Sequence, residues 1–217
     1  MIGSIIIGIV IGILLNMGAD HLPRSADGGP SRMQQRLRWG ILPLVSAGLC
    51  LYLQRHHGWS ANFAMHITYC SLLLLIAVVD LEHRIVPNAI LAPGIALALG
   101  FNIWLATPGV KAALSGAIVG GGFFLLLAFL RRNALGFGDV KLAFLIGMMT
   151  GFPQVLQALA IGIILGGIMA AFLLLTRLRS PRQYMPYAPY LVVGCIVTLL
   201  QGPAIANWYA RSAGLGG

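Results

Sequence analysis

Long apolar runs without a charged side chain are the feature that most restricts what this chain can fold into. A helix needs about 20 apolar residues to cross a hydrocarbon core of about 30 Å. In lipid, every backbone N–H and C=O must be satisfied within the segment, which favours helices. The charge-free runs are Met1–Ala19, Trp39–Gln54, Gly58–Val79, Ile85–Val110, Ala112–Leu130, Leu142–Thr176 and Gln183–Ala210.

The run Leu142–Thr176 is too long for one crossing, and Gly151-Phe152-Pro153 predicts a turn inside it. The sequence therefore predicts an all-α, polytopic bundle of about eight transmembrane helices, forming one membrane domain over residues 1–217. Two segments, Trp39–Gln54 and Gly138–Gly151, are predicted to be short for a full crossing.

Composition supports lipid as the main solvent and argues against a nucleic-acid partner. Hydrophobic residues make up 59% of the chain and charged residues 9%, whereas a soluble domain has about 25% charged residues. The net charge of +9 is spread over short loops between the apolar runs, with no continuous basic face. These basic residues are interpreted as topology signals and contacts with anionic lipid.

The distribution of Lys and Arg predicts the orientation, because cytoplasmic loops are enriched in both. With eight alternating spans, Arg55, Lys111 and Arg211 fall on one side. The other side receives Arg24, Arg32, Arg36, Arg38, Arg84, Arg131, Arg132, Lys141, Arg177, Arg179 and Arg182. The second side is predicted to be cytoplasmic, with both termini on the non-cytoplasmic side.

No metal or cofactor site is predicted. The three cysteines, Cys50, Cys70 and Cys195, lie singly inside apolar runs and form no C-x-x-C pair. The sequence also lacks H-E-x-x-H, the usual zinc metalloprotease motif. Small residues at four-residue spacing, such as Gly8 and Gly12, instead indicate close helix packing.

Two of the five acidic residues stand where an ionisable group is costly and usually functional. Asp80 ends the apolar run before it, and Asp139 leads directly into the next run. If the two carboxyls face each other, they share a proton. One can then activate water against a peptide carbonyl while the other stabilises the oxyanion, which is aspartyl protease chemistry.

Neighbours of Asp139 suit such a site. Gly136 and Gly138 would let a substrate backbone approach, and Lys141 could hold a substrate carboxylate or offset the charge of the pair. The alternative is that both aspartates simply pair with Arg84 or Lys141. Other polar residues receive ordinary interpretations: Asp20 and Asp27 as solvated, Glu82 as solvated or Arg-paired, His83 as facing lipid headgroups, and Tyr187 as an interface anchor.

Four segments, in order, resemble the prepilin peptidase family of membrane aspartyl proteases. Asp80-Leu-Glu-His-Arg-Ile-Val-Pro-Asn88 is similar to the family's first-aspartate segment. Gly136-Phe-Gly-Asp-Val-Lys-Leu142 is similar to its Gly-x-Gly-Asp-x-Lys-Leu motif. Met185-Pro-Tyr-Ala-Pro-Tyr-Leu191 resembles its C-terminal segment. Gly8-x-x-x-Gly12-x-x-x-Asn16, followed by Leu22-Pro23, resembles its first helix.

The resemblance implies that Asp80 and Asp139 are catalytic, with Gly136, Gly138 and Lys141 in support. It further implies a plasma-membrane enzyme that cuts short basic leaders from prepilin-like or pseudopilin precursors at the cytoplasmic face. The loop 24–38 stands where many members carry a cysteine-containing insert, so N-methylation is not expected. Two alternatives stay open: a Gly-x-Gly-Asp protease of the signal-peptide-peptidase kind, and a non-catalytic transporter or assembly factor. The sequence does not indicate an oligomeric state.

Overall fold

The computed structural model describes residues 2–21, 32–130, 136–176 and 186–212, and these form a bundle of helices without strands. Six of the helices are long and apolar enough to cross a membrane, the exceptions being α6 and α8. The predicted all-α, membrane-spanning class is confirmed. The helices are α1 (Ile2–His21), α2 (Arg32–His57), α3 (Ala61–His83), α4 (Asn88–Leu105), α5 (Val110–Leu130), α6 (Phe137–Thr150), α7 (Gln154–Leu175) and α8 (Ala188–Ser212).

The prediction that the segment Trp39–Gln54 is too short for a full membrane crossing was wrong. Helix α2 has 26 residues, because the polar stretch before Trp39 continues the helix beyond the apolar run. Helix α6, by contrast, is short as predicted, with 14 residues. The break before α7 is also confirmed: Gly151 adopts a positive φ of 70°, and the N–H of Phe152 leaves the helix to donate to the carbonyl of Ala112 at 2.9 Å.

Consecutive helices pack antiparallel through glycines that bring their backbones together. On α1, a Cβ added to Gly8 would lie 2.5 Å from Cα of Ala47, and one added to Gly12 would lie 2.4 Å from Cα of Pro43. The same holds between α7 and α8, where a Cβ on Gly194 would lie 2.3 Å from the carbonyl oxygen of Ala158. The small-residue pattern therefore serves packing within this chain.

The closest of these contacts holds α6 against α5. A Cβ on Gly147 would lie 2.1 Å from the carbonyl oxygen of Gly116, and one on Gly120 would lie 2.6 Å from that of Ala143. Helix α6 is buried along nearly its whole length and contributes Leu142, Leu145 and Ile146 to the main core. This short, enclosed helix carries Asp139 in its first turn.

Gly147→Ala is predicted to destabilise the protein, because the new methyl would meet rigid backbone that cannot move aside. We expect a loss of about 1–3 kcal/mol, typical of overpacking a dense interface. Thermal unfolding in detergent measures it. Gly48→Ala on α2 is the matched control, since a Cβ there meets nothing within 4 Å. Equal melting temperatures for the two variants would contradict the proposed role of this contact.

Candidate active site

Asp80 lies in the last turn of α3 with its side chain buried, 2% exposed. The backbone N–H of Ala188, at the start of α8, donates a hydrogen bond to its carboxylate. The other oxygen, Oδ2, has no hydrogen-bond partner among the residues that the structure describes. Helix α3 ends just after this point, where Arg84 takes up a left-handed conformation and its N–H bonds to the carbonyl of Asp80 at 2.8 Å.

Asp139 lies in the first turn of α6 and is equally buried, 2% exposed. It is near enough to Asp80 for the negative charge of one carboxylate to act on the other. The helix N-terminus favours a negative charge at Asp139, because its free N–H groups carry partial positive charge. The structure thus brings together the two carboxyls that the sequence suggested as a pair.

Tyr187, interpreted from the sequence as a membrane-interface anchor, is half-buried and also lies beside Asp139. Its ring contacts Phe124 at a centroid distance of 6.1 Å, and Gly166 leaves the space it occupies, because a Cβ there would lie 2.7 Å from the ring. Burial raises the pKa of Tyr187, and the negative charge of Asp139 raises it further. The tyrosine therefore stays neutral and forms part of the wall around Asp139.

The segments around the two aspartates contact each other directly. Nζ of Lys141 donates to Oδ1 of Asn88 at 2.9 Å. A Cβ on Gly138 would lie 3.0 Å from Cβ of Val86, so this glycine makes room for the chain that follows Asp80. Gly136 precedes the first residue of α6 in an extended conformation. In this structure Lys141 and Gly138 join the two aspartate segments.

A buried ion cluster lies at the same end of the bundle and was not predicted. Arg38 of α2 donates to Oε2 of Glu82 on α3 at 2.8 Å, and its other terminal nitrogen binds Asp20 of α1. The Arg38 and Glu82 side chains are 6% and 8% exposed. Glu82 is thus Arg-paired, one of its two predicted states, whereas Asp20 is paired rather than simply solvated. Asp27 lies outside the described residues.

His83 is also buried, 6% exposed, and does not face the lipid headgroups as predicted. It lies three residues after Asp80 and therefore on the same face of α3. Its Nδ1 has no hydrogen-bond partner within the described part of the chain. His83 is enclosed because neighbouring segments pack against α3 as far as its last turn.

Arg38→Met is predicted to destabilise the protein strongly, because Glu82 would stay buried without its cation. Removing one partner of a buried ion pair costs on the order of 3–5 kcal/mol. Arg36→Met is the matched control, since Arg36 lies on the same helix and is exposed. Thermal unfolding in lipid nanodiscs compares the two. If both variants unfold at the wild-type temperature, the cluster contributes nothing to stability.

Comparison with known proteins agrees with the family that the motifs around Asp80 and Asp139 resemble. Residues 67–171, which include both aspartates, match the model of the type IV leader peptidase family. A relative from Bacillus subtilis, named a prepilin leader peptidase/N-methyltransferase, is 28% identical over 78% of this chain and 68% of its own length. No solved structure matches.

Two further relatives carry the same name. The one from Pseudomonas aeruginosa is 26% identical over 82% of this chain and 63% of its own length. The one from Pseudomonas putida is 28% identical over 75% and 59%, respectively. The chain therefore spans roughly three fifths to two thirds of the length of these relatives. Together with the family match, which covers slightly less than half of the chain, they show that the chain is similar to the type IV leader peptidase family.

Proposed function

We propose that this chain is a membrane aspartyl endopeptidase that removes leader peptides from prepilin-like precursors, with Asp80 and Asp139 as its catalytic pair. The observation that carries the proposal is the meeting of two buried carboxyls from different helices at one end of the bundle. The match to the type IV leader peptidase family supports a prepilin peptidase, and the names of the relatives support the class of substrate.

The chemistry follows from the closeness of the two carboxyls. Two carboxylates at short range repel, so the pair holds one proton. The ionised carboxyl takes a proton from water as the water oxygen attacks the carbonyl carbon of the scissile peptide. The protonated carboxyl donates a hydrogen bond to the carbonyl oxygen as negative charge develops there. The C–N bond breaks when a proton passes to the leaving amine.

The other predicted site residues act, on this proposal, by holding the pair together. Lys141 reaches Asn88, and Gly138 accommodates Val86, so each connects the Asp139 segment to the chain that follows Asp80. This assigns Lys141 and Gly138 to positioning. Gly136 permits the extended approach to the first turn of α6. We propose no cofactor, because water and two carboxyls suffice for the reaction.

Two alternatives were open from the sequence alone. A protease of the signal-peptide-peptidase kind shares Gly-x-Gly-Asp, but the segment after Asp80 and the family match favour a prepilin peptidase. A transporter or assembly factor does not require two carboxyls close enough to repel. The burial of both Asp80 and Asp139 therefore favours an enzyme.

Asp80→Asn and Asp139→Asn are each predicted to lower cleavage of a prepilin-like precursor by at least about 10³-fold, because the reaction needs both a base and an acid. Both variants should stay folded in the membrane. A gel-shift assay of leader removal measures the rate. Asp27→Asn is the matched control: it makes the same chemical change in a carboxyl that is assigned to neither the pair nor the Arg38 cluster, and it should keep most activity. Near-normal cleavage by either catalytic variant would rule out the mechanism.

We further propose a single domain in the plasma membrane, with both termini outside and the carboxyl pair at the cytoplasmic face. Cysteines introduced at the exposed positions Arg84 and Phe137 are predicted to react with a membrane-impermeant maleimide only from the cytoplasmic side. Cysteines at Arg55 and Lys111 should react only from the other side. The native cysteines are buried and give a low background. Labelling of positions 84 and 137 from opposite sides would contradict this topology.

A further inference from the structure

The start of α8 contacts both halves of the carboxyl pair. Tyr187 begins the helix, since its carbonyl accepts the N–H of Tyr190 at 3.2 Å, and α8 itself starts at Ala188. The N–H of Ala188 donates to the Asp80 carboxylate. The residue before it, Tyr187, carries its ring toward the other carboxyl, that of Asp139.

The register between α5 and α6 shows where this ring lies. Gly116 meets Gly147, and four residues further along α5 Gly120 meets Ala143, four residues back along α6. The two helices are therefore antiparallel, and residues at successive steps of four lie on the same face of each helix.

The next step of four residues places Phe124 of α5 level with Asp139 of α6. Phe124 is 1% exposed, and its ring contacts the ring of Tyr187 at a centroid distance of 6.1 Å. Tyr187 therefore lies at the level of Asp139. The electrostatics agree with this placement, because burial, and then the charge of Asp139, raise the pKa of Tyr187.

The ring of Tyr187 is also held from α7. A Cβ added to Gly166 would lie 2.7 Å from Cε2 and 3.3 Å from Cζ of the ring, so the ring edge occupies the space that this glycine leaves. A Cβ added to the next residue, Gly167, would meet nothing within 4 Å. With Phe124 on α5 and Gly166 on α7, the ring fixes the backbone of Tyr187 between two helices.

We propose that Tyr187 is a positioning residue, whose ring fixes the start of α8 so that the N–H of Ala188 stays bonded to Asp80. The inference rests on the proposed function, in which one carboxyl of the pair must be ionised to take a proton from water. A hydrogen bond from an N–H favours the ionised form of a carboxyl. Loss of this bond therefore moves the acid limb of the pH profile of kcat/KM to higher pH.

Other ionisable groups surround Asp80, and the test leaves them unchanged. Those on α3 itself and on the elements packed around its last turn, apart from Tyr187, are Asp20 of α1, Arg38 of α2, Glu82 and His83 of α3, and Asp139 of α6. Helix α4 carries no ionisable side chain. A shift of the acid limb in a variant of α7 or of Tyr187 is therefore transmitted through the start of α8.

The first test moves the ring from α7. Gly166→Ala places a methyl where the ring edge lies, and Gly167→Ala, on the same helix, is the matched control. Cleavage of a prepilin-like precursor is measured across pH. We expect Gly166→Ala to move the acid limb of kcat/KM upward by about one pH unit, about a tenfold loss on that limb, and Gly167→Ala to leave it in place. A merely structural loss would lower the rate without moving the limb.

The second test changes the ring itself. Tyr187→Leu removes the ring and should move the limb upward as Gly166→Ala does. Tyr187→Phe keeps the ring and should keep the wild-type limb. Adding Gly166→Ala to Tyr187→Leu should shift the limb no further, because the methyl then meets no ring and the two changes are not additive.

Hydrogen exchange at the amide of Ala188, in lipid nanodiscs, reports on the same contact without catalysis. We expect exchange at least about tenfold faster in Gly166→Ala and Tyr187→Leu, and wild-type exchange in Gly167→Ala. If the wild-type protein leaves the precursor uncut, the proposed function fails, and exchange still decides whether the ring holds the start of α8. If the precursor is cut but neither the limb nor the exchange changes, or Tyr187→Phe shifts the limb as far as Tyr187→Leu, the positioning role is overturned and the peptidase assignment stands.

Discussion

Two carboxyl groups held near each other inside an apolar bundle set the constraint around which this structure is arranged. If both Asp80 and Asp139 were ionised they would repel, and burial removes the water that would screen them. The fold offsets this cost with fixed backbone groups: the N–H of Ala188 binds Asp80, and the first turn of α6 surrounds Asp139. The contact between Gly147 and Gly116 then keeps α6 from moving away.

The helices without catalytic residues also fix the site. Helices α1 and α2 reach it through Arg38, which binds Asp20 and Glu82 and so ties both helices to the last turn of α3. Helix α7 contributes Gly166, which makes room for Tyr187 beside Asp139. Segments far apart in the sequence thus converge, because each buried polar group needs a partner that lipid cannot provide.

The architecture was largely predictable, because membrane spans and their breaks depend on local sequence. The apolar runs indicated eight helices, and Gly151-Phe152-Pro153 indicated the turn between α6 and α7. Helix α2 was predicted too short because hydropathy detects only its apolar part. The resemblance to the prepilin peptidase family was recognisable from motifs around Asp80 and Asp139, and the comparisons confirm that resemblance. The catalytic roles, the orientation and the expected lack of N-methylation stay predictions.

The contacts that the sequence did not predict are those that depend on which helices become neighbours. Nothing local to Arg38 distinguishes it from the exposed Arg36 two residues earlier, yet only Arg38 faces α1 and α3. Likewise, Tyr187 stands at a helix end, where aromatic residues are common, and only the packing against Phe124 shows its role. The pairing of Lys141 with Asn88 required the relative position of α4 and α6.

The glycine contacts between helices have a consequence for the entropy of folding. A glycine has no rotamers to lose, so the interfaces at Gly8, Gly116 and Gly194 form without the side-chain entropy that a Leu or Met would give up. Such interfaces also have few alternative arrangements, because backbone meets backbone and no side chain can repack. Helix α6, which holds Asp139, should therefore settle into one geometry against α5, leaving that half of the site ordered before any substrate arrives.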